Sequence, residues 1–451
     1  MPYMVKKRIL GCKKVEVEVE VEFKIKVEVI NTYVMKSKLI FGLLILMFCE
    51  ISYAFSEEPA NDNEEKKQES ESFFKLKGFV KSDYWYDSRS VVAAREDLFL
   101  LYPRNEFPDV NGFDIYGDPS FNFSAITSRI AGVIKGPDAF NAKTSGLIEA
   151  DFSGVTNADI NGFRLRHAYM KLEWEKFDLL LGQWWHPMFA TEAVPTVISL
   201  NTGAPFQPFI RNPQVSLTYK EGTLRILAAA IAQRDNSNDG PIGVSPDYIR
   251  NSGMPNFHLQ MFHLRENTTA GIAADYKLLR PRLATDSLYK TAANIGTYAF
   301  MGYLRYHKDK LDIKTKAIYG QNLSEHLMMG GYAESTVNPI DKYVTYTPLN
   351  HLSMWWNIVY GKQIQSGLFL GYSRNFGASD FVEGKIYGRG HNIKYLYRVS
   401  PHISFISGKM QFSTELEYTA AAYGTPDNRA IVHDTKEVSN IRLLFTAFYF
   451  F

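Results

Sequence analysis

The sequence predicts an all-β protein, a transmembrane antiparallel β-barrel of about 16 strands with short periplasmic turns and long extracellular loops. Three observations lead to this fold class. From Phe74 onward, apolar and polar residues alternate with period 2 over segments of about 9 to 14 residues. The connections between these segments alternate between long and short. The last segment keeps the alternation and closes on an aromatic residue, Phe451.

The composition excludes several other classes of protein. Of 451 residues, 14% are aromatic and 22% are charged, which fits neither a disordered chain nor a coiled coil. No uninterrupted apolar run reaches about 18 residues, so a bundle of membrane-spanning helices is excluded. Residues 73–451 carry 39 basic and 35 acidic residues, too balanced for a nucleic-acid binder. Both cysteines, Cys12 and Cys49, precede residue 55, so the later chain has no disulfide framework.

The N-terminal region divides into three predicted segments. Residues 35–54 have a basic start, a largely apolar stretch and small residues at Ser52 and Ala54, the pattern of a secretory signal peptide cut after Ala54. Residues 1–34 lie upstream of that signal and are interpreted as an over-extended N-terminus. Residues 55–72 hold seven acids and two lysines, which predicts a disordered acidic periplasmic tail. The barrel is assigned to residues 73–451, in the outer membrane of a Gram-negative bacterium.

Each predicted strand has an apolar and a polar face. Leu416 and Tyr418, for example, alternate with Glu415 and Glu417, so that apolar side chains face lipid and polar ones face the interior. A soluble sandwich would alternate in the same way with shorter strands. The predicted strands are 74–87, 121–134, 143–153, 163–174, 177–185, 214–220, 223–233, 257–265, 268–279, 294–307, 310–321, 352–363, 364–373, 388–405, 410–423 and 437–451.

The lengths of the connections distinguish the barrel from the sandwich. Long connections are predicted at 88–120, 154–162, 186–213, 234–256, 280–293, 322–351, 374–387 and 424–436. Short ones are predicted at 135–142, 175–176, 221–222, 266–267 and near His307, Gln363 and Gly408. Long loops outside and tight turns in the periplasm are what an outer-membrane barrel requires, whereas nothing in a sandwich requires long and short connections to alternate.

The closing strand carries a candidate assembly signal. One of its faces holds residues spaced two apart, namely Ile441, Leu443, Phe445, Ala447, Tyr449 and Phe451. A terminal phenylalanine after alternating apolar residues resembles the signal recognised by the barrel-assembly machinery of Gram-negative bacteria. That machinery and outer-membrane lipid are therefore expected partners.

The long connection 186–213 is predicted to fold inward as a constriction loop. A barrel of about 16 strands leaves an aqueous lumen, so function depends on what narrows it. The loop is entered through Trp184, Trp185, His186 and Pro187, and its four prolines stiffen it and prevent strand pairing. The alternative is an exterior loop that packs against a neighbouring subunit.

Charged residues on neighbouring strands are candidates for lining the pore and setting its selectivity. These candidates are Arg129, Glu149, Asp151, Arg164, Arg166 and Arg211. Arg164 and Arg166 share one strand face and would attract anions. Alternatively, they pair across strands with Glu149 and Asp151. Both interpretations can hold together.

Two tryptophan pairs and ten scattered histidines are further candidates for binding or catalytic residues. The pairs at 184–185 and 355–356 should each place one indole inward and one outward, as interfacial aromatics or as a stacking surface for sugars. The ten histidines show no H-x-x-x-H spacing, and no G-x-S-x-G or phosphate loop is present. We expect no enzyme activity, no metal and no cofactor.

Several stretches match a known family of barrels. They are Ser128-Arg129-Ile130-Ala131-Gly132, Glu149-Ala150-Asp151-Phe152, Phe163-Arg164-Leu165-Arg166-His167-Ala168-Tyr169, Leu181-Gly182-Gln183-Trp184, Arg211-Asn212-Pro213-Gln214-Val215 and Leu416-Glu417-Tyr418-Thr419. Through them the chain resembles the DcaP-like family of trimeric outer-membrane porins, over roughly 120–451. The resemblance implies a 16-stranded barrel that forms trimers and passes small anions such as dicarboxylates. The N-terminal coiled-coil stalk frequent in that family has no matching heptads here.

The sequence therefore predicts an outer-membrane porin for passive diffusion of small hydrophilic solutes, with a preference for small anions. Two alternatives stay open. One is a barrel that acts in binding or adhesion through its extracellular loops, best supported by loop 88–120. The other is a sugar-preferring channel. An outer-membrane hydrolase would need a nucleophile with histidine and acid partners, and no such set is found in the sequence.

Overall fold

The alternation seen in the sequence forms the two faces of a closed antiparallel sheet. The computed structural model describes residues 73–451, and the predictions for residues 1–34, 35–54 and 55–72 lie outside this part of the chain. The strands are β1 (Phe73–Asp87), β2 (Val91–Ala94), β3 (Phe99–Pro103), β4 (Ser120–Ser124), β5 (Arg129–Lys135), β6 (Lys143–Asp151), β7 (Arg164–Glu173), β8 (Phe177–Trp185), β9 (Arg211–Glu221), β10 (Leu224–Ile231), β11 (Asn256–Leu264), β12 (Thr268–Leu279), β13 (Ile295–Lys308), β14 (Leu311–Gln321), β15 (Gly330–Val337), β16 (Val344–Gly361), β17 (Ile364–Ala378), β18 (Ile386–Arg389), β19 (Ile393–Ser407), β20 (Met410–Pro426) and β21 (Val432–Phe450). A short helix, α1 (Asp247–Ser252), lies between β10 and β11.

Sixteen strand positions form the wall of the barrel. β4 and β5 share one position beside β1, while β2, β3, β15 and β18 lie in long connections. Wall strands pair in chain order, and β21 pairs with β1 from Phe79↔Phe450 to Asp87↔Arg442, which closes the ring. Each predicted strand corresponds to one wall position, so the predicted fold class is confirmed.

The two ends of the barrel differ as predicted, with one exception. Short turns join the strands at one end, called here the turn end, and longer connections lie at the other, the loop end. The predicted long connection 424–436 is wrong, because β20 and β21 continue as a hairpin and leave only residues 427–431 between them. The Asp427 carboxylate accepts hydrogen bonds from the backbone N–H groups of Arg429 and Ile431, which closes this turn.

The outer face of the wall is apolar and the inner face is polar. On β11, Leu259 and Met261 are 57% and 44% exposed, whereas His258 and Gln260 between them are each 3% exposed. A water-soluble barrel would show the opposite arrangement, so the outer face is suited to lipid. Among residues 73–451, no helix has the length and apolar character to cross a membrane.

Two long connections fold into the lumen. The β2–β3 hairpin lies inside the mouth, where Phe99, Leu100 and Tyr102 are at most 5% exposed. It packs with the connection 186–210 in one apolar cluster against β16, β17, β19, β20 and β21. The start of the connection 186–210 also packs against β11, β12, β13 and β14 in a second apolar cluster. The charged residues described below lie on β5, β6, β7 and β9.

Phe451 covers a glycine on the outer face at the turn end. A Cβ at Gly78 would lie 2.6 Å from the Phe451 ring, and the Phe451 N–H donates to the Gly78 carbonyl at 3.1 Å. The ring therefore fills the space that Gly78 leaves beside the seam between β1 and β21. Tyr449, on the same face, is 48% exposed.

Deletion of Phe451 should lower the yield of closed barrel, because it removes the outward ring at the seam and the expected assembly signal. The pore of the protein that does assemble should be unchanged, since this side chain faces lipid. Heat-modifiable migration on gels measures the closed form. Phe405→Ala, which removes another outward aromatic near the turn end, is the control. An undiminished yield after deletion would contradict the assembly role.

Candidate functional site

The connection 186–210 crosses the interior and returns to the wall at Arg211. His186 caps its first turn, accepting a hydrogen bond at Nδ1 from the Met188 N–H at 3.2 Å. Pro187 occupies the first position of that turn, where a missing N–H costs nothing. The segment that was predicted to fold inward therefore lies inside the barrel.

Side chains of the opposite wall hold this segment through its backbone. On β14, the Lys316 ammonium donates to the Phe189 carbonyl at 2.6 Å. On β20, the Glu415 carboxylate accepts from the backbone N–H groups of Ile198 at 2.5 Å and Ser199 at 2.8 Å. These partners satisfy backbone groups that an irregular buried segment would otherwise leave unpaired.

Trp184 and Trp185 both face the interior, so the prediction that one of them points outward is wrong. Trp185 stacks on Phe189 with ring centroids 3.9 Å apart and an interplanar angle of 5°. Trp184 packs on the inward-facing His167 at 4.4 Å. The alternation fails because the chain turns into the lumen directly after Trp185, whose cross-strand partner is the buried Arg211.

The second tryptophan pair behaves as predicted. Trp355 is fully buried inside the barrel, and its indole N–H donates to Gln207 of the inward-folded connection at 3.0 Å. Trp356 is 45% exposed on the lipid side. Strict alternation holds here because β16 continues well beyond both residues in each direction.

The predicted arginine face exists, and its acidic partners are those proposed from the sequence. Arg164 lies 2.8 Å from Asp151, and Arg166 lies 2.7 Å from Glu149 and 2.8 Å from Asp151. Arg129 joins them, with its Nε 3.5 Å from Glu149. The predicted cross-strand ion pairs are therefore present in the structure.

A further acid completes the network. Asp235, in the connection 232–255, lies 2.5 Å from Arg211 and 3.7 Å from Arg164. Burial raises the pKa of Asp235, but Arg211 and Arg164 outweigh burial and hold it below its ordinary value, so this carboxyl stays ionised. Sequence patterns did not indicate Asp235, because it lies outside any strand. Four arginines thus meet three carboxylates, an excess of one positive charge.

Two cavities flank a narrow layer beside this network. The cavity towards the turn end has a volume of about 270 Å³ and includes Trp184, Trp185 and Glu192 in its lining. The cavity towards the loop end has about 280 Å³, and its charged lining residues are Arg95, Arg164, Arg211, Asp235 and Arg389.

The layer between the cavities is an aromatic and cationic stack. The Arg211 guanidinium lies 5.2 Å from the centroid of the Trp185 ring and 5.4 Å from that of Phe209. Trp185 lines the cavity towards the turn end, and Arg211 and Phe209 line the other. The stack therefore borders both cavities.

Removal of the Glu415 carboxylate should loosen the inward-folded connection. Glu415→Leu leaves the N–H groups of Ile198 and Ser199 without acceptors, at a cost of about 1–3 kcal/mol for each group. We expect faster proteolysis within 190–205 and noisier channel currents. Glu415→Gln keeps an acceptor oxygen and serves as the control. Equal protease resistance of the Leu and Gln variants would show that this carboxylate does not hold the segment.

The fold is shared with solved outer-membrane channels. No protein-family model matches the sequence, and no match is found among curated proteins. The outer-membrane channel DcaP of Acinetobacter baumannii is similar with a TM-score of 0.62 at 17% identity, over 85% of this chain and 99% of that one. OmpT, an outer-membrane protein of Vibrio cholerae, gives 0.51 at 10% identity, over 84% and 98%. The anion-selective porin of Comamonas acidovorans gives 0.50 at 10% identity, over 84% and 100%.

These similarities establish the fold of this chain as that of Gram-negative outer-membrane porins. The predicted resemblance to the DcaP-like porins is thereby confirmed at the level of the fold.

Proposed function

We propose that this chain is an outer-membrane porin through which small hydrophilic solutes diffuse, with a preference for small anions such as dicarboxylates. The observation that carries the proposal is the inward-folded connection 186–210, which narrows a closed, lipid-suited barrel beside a charged wall. The role of Arg129, Glu149, Asp151, Arg164, Arg166 and Arg211 as pore-lining residues belongs to the same proposal, as does the role of 186–210 as constriction loop.

The charge balance supports the anion preference. The network holds one excess positive charge, and Arg95 and Arg389 add two more guanidinium groups to the cavity at the loop end. Fixed charges within about 8 Å act on a solute at about 0.15 M salt, which is the scale of a constriction. Because the arginines are largely paired, we expect a moderate preference for anions.

Assembly is part of the proposal. The DcaP-like resemblance and the trimeric form named for the Vibrio cholerae OmpT structure favour a homotrimer. The apolar outer face fits membrane lipid, and the aromatic end of β21 fits recognition by the barrel-assembly machinery. The turn end then faces the periplasm, and the loop end faces outward.

The alternatives receive different support. A sugar-stacking surface is disfavoured at Trp185, because Phe189 covers one face of the ring and Arg211 lies over it as well. Binding through loop 88–120 is limited to its outer part, since the β2–β3 hairpin is buried in the mouth. Within that outer part, Val110 is fully exposed and Phe113 is 74% exposed, which keeps an adhesive role as the second candidate.

Purified protein should form discrete channels in a planar lipid bilayer. A porin gives stepwise current increases of uniform size as single assemblies insert, because the lumen is a fixed aqueous path. The heat-denatured form is the control and should give none. If the closed, heat-modifiable form inserted without conducting, the porin proposal would fail and the binding role would be favoured.

Charge-neutralising substitutions should shift ion selectivity in opposite directions. The double variant Arg164→Gln, Arg166→Gln changes the network from one excess positive charge to one excess negative charge, so the reversal potential in a salt gradient should move towards cation preference. The double variant Glu149→Gln, Asp151→Asn should move it towards anions. Both shifts should shrink as salt rises, because ions in the lumen screen the field that these fixed charges set up there.

Arg250→Gln is the matched control, since it removes a positive charge on α1 from a side chain that is 68% exposed. Its reversal potential should stay near that of the parent chain. If both double variants conduct normally with an unchanged reversal potential, these residues are structural pairs only. The porin proposal would survive that result, and the anion preference would not.

A further inference from the structure

Three histidines and an aspartate from distant parts of the chain meet inside the barrel. His186 begins the inward-folded connection, His258 lies on β11, Asp275 on β12 and His326 in the connection 322–329. All four residues are at most 7% exposed. This cluster is separate from the arginine network, and it includes His186, the first residue of the proposed constriction loop.

The potential ligand atoms lie at distances that suit a metal ion. The Asp275 Oδ2 atom is 3.1 Å from His258 Nδ1 and 3.6 Å from His186 Nε2, and all three ligand atoms lie within 4.8 Å of one another. Two ligands bound at about 2.1 Å in a tetrahedral site lie about 3.4 Å apart. The two separations measured from Asp275 are therefore close to those of a preformed site, and the two histidine ligand atoms lie within 4.8 Å of each other.

His326 packs against His186 at the edge of this group. Its ring centroid is 4.7 Å from that of His186, at an interplanar angle of 88°. Within the part of the chain that the structure describes, its Nδ1 atom is buried without a hydrogen-bond partner. A buried, unpaired ring nitrogen is costly unless something binds it, and a metal ion would do so.

We propose that His186, His258 and Asp275, joined by His326, form a binding site for a divalent transition-metal ion such as Zn²⁺. Imidazole nitrogens with one carboxylate suit zinc, nickel, cobalt and copper, whereas calcium and magnesium prefer oxygen ligands.

Outer groups support the ligands as in known metal sites. The Asn256 amide donates to Asp275 Oδ1 at 2.9 Å, and His258 Nε2 lies 3.2 Å from Gln260 Oε1. Such contacts fix the orientation of ligand side chains. Nearby, the positive charge of Lys277 is matched by Glu325, with which it forms a salt bridge.

Existing hydrogen bonds of the ligand atoms have to change when the ion binds. His186 Nδ1 accepts the Met188 N–H at 3.2 Å, so its proton lies on Nε2, which donates to Asn256 Oδ1 at 3.1 Å. His258 Nδ1 lies within hydrogen-bond distance of Asp275 Oδ2, at 3.1 Å. Coordination through Nε2 moves that proton to Nδ1 and opens the contact with Met188. The ion can arrive from the cavity at the turn end, which is lined by both His186 and Gln260.

The consequence of binding would be mechanical. One ion would join the start of the inward-folded connection to two wall strands and to a second connection from the loop end. The rigidity of the start of this connection would then depend on metal supply, because without the ion His186 is held to β11 and β12 by non-covalent contacts alone. The porin proposal does not depend on this ion, since the barrel would conduct with or without it.

Cobalt binding tests the proposal directly. Protein in detergent, in its closed heat-modifiable form and stripped with chelator, is titrated with Co²⁺ and followed by visible absorption. We expect one ion per chain with the intense bands of tetrahedral coordination, displacement by Zn²⁺, and a higher temperature for loss of the closed form. His258→Gln, which can keep a hydrogen bond to Asp275, should lose this binding.

His263→Gln is the matched control, because His263 lies on the same strand β11 but is exposed. It should bind Co²⁺ as the parent chain does. The proposal is overturned if the closed parent chain takes up no stoichiometric Co²⁺, or if His258→Gln binds it with unchanged affinity and spectrum. Bilayer conductance of the metal-free protein tests the porin proposal separately.

Discussion

Closure of the sheet between β1 and β21 is the constraint on which the rest of this structure depends. Lipid offers no hydrogen-bond partners, so each wall strand needs neighbours on both sides. The register from Phe79↔Phe450 to Asp87↔Arg442 supplies them at the seam. At its loop end, Arg442 and Asp87 form a fully buried ion pair, so closure also fixes a charged pair inside the barrel.

The wide ring that results cannot fill itself with wall side chains, and two long connections fold into it. Their backbone groups are irregular and buried, so wall residues have to satisfy them. Arg398 shows how this is done, since its guanidinium donates to the carbonyls of Ala204 at 3.0 Å and Leu101 at 2.9 Å, one from each connection. Polar wall residues of this kind hold the backbone of the inward-folded connections.

The arginine network and the histidine cluster lie in different parts of the same lumen. The arginine network lies where cross-strand neighbours meet on β5, β6 and β7, and it meets the loops at Asp235 and, through Arg211 on β9, at Phe209. The histidine cluster lies where loops meet β11 and β12. The first is built from cross-strand ion pairs, and the second brings the start of the inward-folded connection against the wall.

The sequence by itself determined the barrel. The period of 2 can be read within each segment, and the alternation of long and short connections can be read along the chain without any knowledge of distant contacts. It also indicated the pairing of Arg164 and Arg166 with Glu149 and Asp151, since adjacent antiparallel strands make that contact local. Only the tertiary structure decided which loop residues join the wall. Asp235 and His326 come from irregular connections, and Trp185 turns inward where the chain leaves the strand, so no periodic signal could place them.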